Sequence, residues 1–125
     1  MTDTLALRTV VVSLLGTVLP ESAKTYFQQA NEDHPQIYAV YTLDMIDTTD
    51  ERILYELEIN VMDYGTDTST IETLADDIQA LFNKRVVIND DVGVYFFADR
   101  RNAVEEEDRN ILRRRLTFST YLYER

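Results

Sequence analysis

Two long alternating runs, Ile53 to Tyr64 and Arg113 to Glu124, leave little freedom in what this chain can fold into. In the first, Ile53, Tyr55, Leu57, Ile59 and Val61 share one face, and Glu56, Glu58 and Asn60 share the other. In the second, Leu116, Phe118, Thr120 and Leu122 alternate with Arg115, Thr117, Ser119, Tyr121 and Tyr123. A strand turns successive side chains to opposite sides, so a period of two means one buried face and one open face. Such strands belong to a largely antiparallel sheet covered on one side. The open faces carry charge, hydroxyls and tyrosines without a recognisable catalytic set. That combination points to a protein that works through its surfaces.

The remaining segments supply the cover. Leu7, Val11, Leu14, Leu15 and Val18 form a stripe at spacings of three and four, predicting a helix over 4–19 with Thr2, Asp3 or Thr4 as N-cap and Pro20 as terminator. Ile71, Leu74, Ala75, Ile78, Leu81 and Phe82 form a second and clearer stripe, with Glu72, Asp76, Asp77 and Gln79 facing water. Ser69 and Glu72 stand at capping-box spacing at its start. Gln36 to Ile46 alternates, with Ile37, Ala39, Tyr41, Leu43 and Met45 on one face, and the Asp47-Thr48-Thr49-Asp50 turn links it to the run at Ile53 as a hairpin. Short strands are expected at Thr25–Phe27 and Val86–Ile88, and a longer one from Val92 to Asp99, with residues 100 to 109 as a hairpin tip. The expected architecture is one α+β domain over residues 1–125, a mostly antiparallel sheet with two amphipathic helices packed on one face.

Composition narrows the function. The chain has 125 residues, enough for one ordinary core, and no cysteine, which removes disulfides and thiolate chemistry together. No apolar stretch approaches the about 20 residues of a membrane span, and the N-terminus lacks the basic start of a secretion signal. A soluble protein made in the cytoplasm, with no membrane contact, is the expectation. Twelve Lys and Arg against 23 Asp and Glu give a formal charge of −11, the wrong sign for holding nucleic acid by phosphate neutralisation.

Each candidate for chemistry meets a simpler reading. Asp44, Asp47, Asp50 and Glu51 gather at the first hairpin tip but lack calcium-loop spacing, so a solvated turn is expected and no metal. Glu105, Glu106, Glu107 and Asp108 form a like-charge block that reads as a mobile loop or contact arm. His34 is the single histidine and lies in a polar loop without a partner nucleophile, and the three glycines make no phosphate-cradling loop. No catalytic residue and no cofactor is expected. Arg113, Arg114 and Arg115, with Arg100, Arg101 and Arg109, concentrate positive charge in an acidic chain. They could bind phosphate, but the overall charge favours forked contacts to carboxylates, either on a neighbouring copy or within the same subunit.

The order and lengths of these elements resemble the tail terminator, or tail completion, proteins of long-tailed bacteriophages, the lambda-type terminator and its siphophage relatives. The resemblance runs over nearly the whole chain. It rests on the N-terminal helix, the strand His34-Pro35-Gln36-Ile37-Tyr38-Ala39-Val40-Tyr41 and its partner Tyr55 to Val61. The helix Ile71 to Phe82 and the terminal strand Arg115-Leu116-Thr117-Phe118-Ser119-Thr120-Tyr121-Leu122 complete it. It implies a non-enzymatic virion protein at the head–tail junction, made in the host bacterial cytoplasm. Such a protein forms a ring, typically hexameric, that ends tail-tube polymerisation and offers a surface to the head-completion or connector protein. Its partners are then its own copies, the tube protein and the connector protein, while DNA passes through the channel without specific binding. Under that reading Arg113, Arg114, Arg115, Arg100, Arg101, Asp47, Asp50 and Glu51 are the subunit-contact candidates. Glu105, Glu106, Glu107 and Asp108 become a lumen or contact arm.

Three other readings stay open on sequence. Another phage neck or head–tail connector protein shares a small α+β core and ring assembly. A small ligand-binding or isomerase-like domain would place Tyr26, Tyr41, Tyr55 or His34 in a pocket between helices and sheet. An acidic adaptor or nucleic-acid mimic would occupy a basic partner without self-assembly.

Overall fold

The computed structural model describes residues 3–49 and 52–124. Eight elements follow in the order α1 (Asp3–Leu15), β1 (Lys24–Phe27), β2 (Ile37–Thr48), β3 (Ile53–Tyr64), α2 (Ser69–Phe82), β4 (Arg85–Ile88), β5 (Val92–Ala103) and β6 (Ile111–Glu124). The strands make one six-stranded sheet in the order β1-β2-β3-β6-β5-β4, antiparallel throughout except for β1, which runs parallel to β2. The two long alternating runs are the two central strands, paired along their whole length from Ile53↔Leu122 to Tyr64↔Ile111. The α+β architecture read from the sequence is the one observed.

Both helices lie on the same face. Alternation sends Tyr55, Leu57, Ile59 and Val61 of β3, Leu116, Phe118 and Leu122 of β6, and Val92, Val94 and Phe96 of β5 beneath them, all buried. Leu7, Val11 and Leu15 of α1 and Ile71, Ala75, Ile78 and Phe82 of α2 meet that layer and are fully buried. Phe82 sits at its centre, edge-on to Phe96 at 5.0 Å between centroids and 5.3 Å from Phe118. Each such side chain removed from water contributes roughly 1.5–3 kcal/mol before chain entropy is subtracted. With its three consecutive valines α1 has modest intrinsic propensity, so packing against β5 and β6 holds it.

Several boundaries differ from the sequence expectation. Helix α1 stops at Leu15, not 19, and Gly16 to Val18 close it as turns through Thr17 N–H to Leu14 O and Val18 N–H to Leu15 O. Strand β5 continues past Asp99 to Ala103, because a bulge between Ala98 and Arg100 absorbs one residue and lets pairing with β6 resume. Beside that bulge β4 has run out, and Asn83 Oδ1 accepts the Ala98 N–H at 3.1 Å. The capping box does not form. Thr68 is the N-cap residue and makes no side-chain capping bond, while Asp67 Oδ1 takes the Ser69 amide at 3.0 Å and hydroxyl at 2.8 Å. Those two bonds hold the Asp67 carboxyl below its ordinary value. Met45, expected on the covered face, is 56% exposed, because β2 runs on beyond the helices that cover the sheet.

Candidate functional site

Strand parity divides the arginine cluster between the two faces. Arg114 stands opposite Val61 on the covered face, and Arg113 and Arg115 stand opposite Met62 and Asn60 on the open one. On β5 the bulge does the same for a second pair, placing Arg101 opposite Leu116 on the covered face and Arg100 opposite Thr117 on the open face. The arginines therefore form two groups with different partners, not one basic patch.

The covered-face pair is bound to α2. Arg114 Nε donates to Glu72 Oε1 at 2.6 Å, and Arg101 reaches Asp76 Oδ1 at 2.6 Å and Glu72 Oε1 at 3.3 Å. Glu72, expected to cap its own helix or face water, instead joins α2 to β5 and β6. The Arg114 hydrogen bond is the main cause that holds the Glu72 carboxyl below its ordinary value, and the bond to Asp76 is what raises Arg101.

On the open face the acidic arm folds back. The tip between β5 and β6 brings Glu106 Oε1 to within 2.9 Å of Arg113 Nη1, while Arg113 Nε donates to Asn60 Oδ1 at 2.8 Å. Asn60 in turn donates to Glu58 Oε2 at 2.9 Å. These residues wall a groove of about 390 Å³ with Tyr38, Val40 and Met62 on its floor and Gln28 and Gln29 on its far bank. Burial, and after it the Glu106 charge, raises the Tyr38 hydroxyl above its usual value. Of the arm, Glu105, Glu107 and Asp108 remain exposed, and Asp108 Oδ1 turns the chain by accepting the Asn110 amide at 2.9 Å. Sequence reading missed Asn60 and Glu106 as the partners of Arg113. Parity places Asn60 and Arg113 on the same open face, and the register brings them together, since Asn60 pairs with Arg115, two residues along.

The other candidates are more scattered. Arg100 is 3.7 Å from Glu56 with its side chain largely exposed, and Arg115 Nε reaches Asn102 Oδ1 only at 3.5 Å. Asp47 lies at the exposed end of β2, where its carboxylate accepts the Thr48 amide at 2.9 Å. Asp50 and Glu51, like Thr2, lie outside the described residues. His34 is exposed, with Nδ1 3.0 Å from Pro35 O and its ring 3.9 Å from that of Tyr38. Tyr41 and Tyr55 are buried in the core, and the Tyr55 hydroxyl meets Thr4 Oγ1 at 2.7 Å. Among the described residues no group of His, Asp and Glu is placed to hold a metal ion, and no helix is long and apolar enough to cross a membrane.

Several solved structures share this fold, among them the two that follow. One, which carries no functional description, matches with a TM-score of 0.73 at 12% identity, over 98% of this chain and 94% of its own. The other is a chain of the virion of a native gene transfer agent particle, with a TM-score of 0.63 at 13% identity over 94% of this chain and 90% of its own. No family model matches the sequence, and no curated protein sequence does.

Proposed function

We propose that the chain is a phage-type virion structural protein, and more specifically a tail terminator. It forms a ring at the head-proximal end of the tail tube, stops tube polymerisation and offers a joining surface to the head connector. The observation that carries the first step is the fold shared, over 94% of the chain, with a component of a gene transfer agent virion. The second step rests on the sequence resemblance over both helices and the long strands. Its non-enzymatic character agrees with where the reactive groups lie: His34 turns to a backbone carbonyl, and Arg101, Arg113 and Arg114 are tied to carboxylates of their own subunit. The charge of −11 suits a lumen that lets a polyanion pass without adhering.

Sedimentation across protein concentration, with tube protein present and absent, tests the reading. A discrete ring-sized species, alone or on tube ends, supports it. A monomer under every condition overturns it. Replacing the exposed arm acids Glu105, Glu107 and Asp108 by lysine tests the lumen idea separately, and genome ejection at an unchanged rate would remove it.

A further inference from the structure

We propose that successive copies join edge to edge, the free half of β2 in one copy receiving β4 of the next, so that the sheet runs on through the ring. This rests on the ring assembly proposed above and names its subunit contact. Strand β1 covers β2 only along Tyr38 to Tyr41, because the chain turns away at Gln28, whose φ is 69°. From Thr42 to Thr48 the outer edge of β2 carries no strand among the described residues, and its last five residues are exposed. At the opposite border β4 is equally open, with Val86 57% and Ile88 63% exposed. A border strand leaves its outer N–H and C=O groups unpaired, which makes it a template for pairing with another chain.

The two borders match in chemistry. The free end of β2 presents Met45 and Ile46, 56% and 57% exposed, flanked by Asp44 and Asp47. Strand β4 presents Val86 and Ile88 behind Lys84 and Arg85. Acidic groups at Asp44 and Asp47 on one border face basic groups at Lys84 and Arg85 on the other, which favours a second copy over an unrelated partner.

The borders also match in height. One cross-sheet row runs Asp47, Leu54, Tyr121, Tyr95, Val86, so the complementary segments sit at the same level on opposite sides of the subunit. Head-to-tail contacts close into a ring only if each step adds rotation without rise, and a shared row meets that condition. The ladder directions make β4 parallel to β2. A four-residue strand added in parallel to β2 is what β1 already does within the subunit.

Cysteine cross-linking tests this in the 125-residue chain, which has no cysteine of its own. Asp47→Cys and Val86→Cys lie in one row, and neighbouring strands at ~4.8 Å fall within the roughly 4.4–6.8 Å that a disulfide spans. Oxidation of the two single variants mixed together, with tube ends if rings need them, should give covalent dimers that neither variant gives alone. The double variant should give a ladder ending at the ring mass, and its sedimentation under reducing conditions should equal that of the unsubstituted chain. Rings that form normally but do not cross-link would overturn the edge contact and leave the terminator reading standing. Dimers from one single variant alone would overturn it in favour of a two-fold contact. Absence of any ring from the unsubstituted chain, with no ladder from the double variant, would overturn both.

Discussion

Along β6 the covered face presents Leu116, Phe118, Thr120 and Leu122, whereas the open face presents Arg113, Arg115, Thr117, Ser119 and Tyr121. The first set touches two helices and is buried to within 2% of full cover. Of the second, Arg113, Arg115 and Ser119 make hydrogen bonds to Asn60, Glu106, Asn102 and Asp99 that water could also supply, while Thr117 is buried with no partner for its hydroxyl. Covered residues therefore set whether the chain folds. Open ones set what it can meet, and their internal bonds hold the arm in place at a smaller gain in stability. The two faces differ in the kind of energy at stake, and each can be tested by substitution.

The largest effect belongs to the covered face. Phe82→Ala empties the junction of Phe82, Phe96 and Phe118, and a loss of about 3–5 kcal/mol is expected, read as a drop in the urea midpoint. On the open face Arg113→Ala removes its bonds to Asn60 and Glu106, with an expected loss of about 1–2 kcal/mol after discounting for solvent access. Loosening of the arm, seen as faster amide exchange over residues 104–110, should accompany it. Equal losses from the two variants would break the distinction between the faces. Thr120 sharpens it from the other direction, because its Oγ1 is buried among apolar groups with no hydrogen-bond partner. Thr120→Val should stabilise by about 1 kcal/mol in the same denaturation assay.

The smaller effects lie where the faces meet solvent. Glu72 has a folded-state carboxyl held below its ordinary value of 4.5, chiefly by Arg114. Its contribution is present above that value and fades as the pH falls through the lower, folded one. Glu72→Gln should therefore be less stable than the parent at neutral pH, with the gap closing in the acid limb of a pH–stability curve. A gap that stays constant with pH would show that packing, not charge, holds α2 to β5 and β6. Smallest of all, Arg100→Ala breaks a 3.7 Å pair at the surface and should change stability by less than about 0.5 kcal/mol.

Much of this fold was legible because the signals are redundant. Period two at Ile53–Val61 and Leu116–Leu122 and period 3.6 at Ile71–Phe82 each repeat over several residues, so one exception does no harm. What escaped depended on single residues and on tertiary partners. The capping box failed because Glu72 finds Arg114 and Arg101, which lie far away in sequence. The strand limit at Asp99 was misplaced because a bulge breaks alternation and imitates a strand end. Arg113, Arg114 and Arg115 read as one cluster only while their side-chain directions are ignored; parity, already assigned to this strand, separates them. The arm at Glu105–Asp108 was recognisable as a loop, but the capture of Glu106 by Arg113 depends on a sheet register that no local pattern contains.

The bulge at Asp99 has a consequence for how this chain tolerates change in length. Strict alternation from Phe96 would have turned Arg100 toward α2 and Arg101 away from it; the additional residue inverts the order. Everything beyond it on β5 inherits that inversion, Asn102 and Ala103 included. Loss of Asp99 would remove the extra residue, restore regular pairing and leave both arginines on their present faces. A strand that kept every residue but lost the bulge would instead turn Arg101 away from Asp76 and Glu72 and send Arg100 toward them from a different point along the strand. The bulge thus sets the sidedness of everything beyond it, and one residue can be lost at this position without changing which face meets α2.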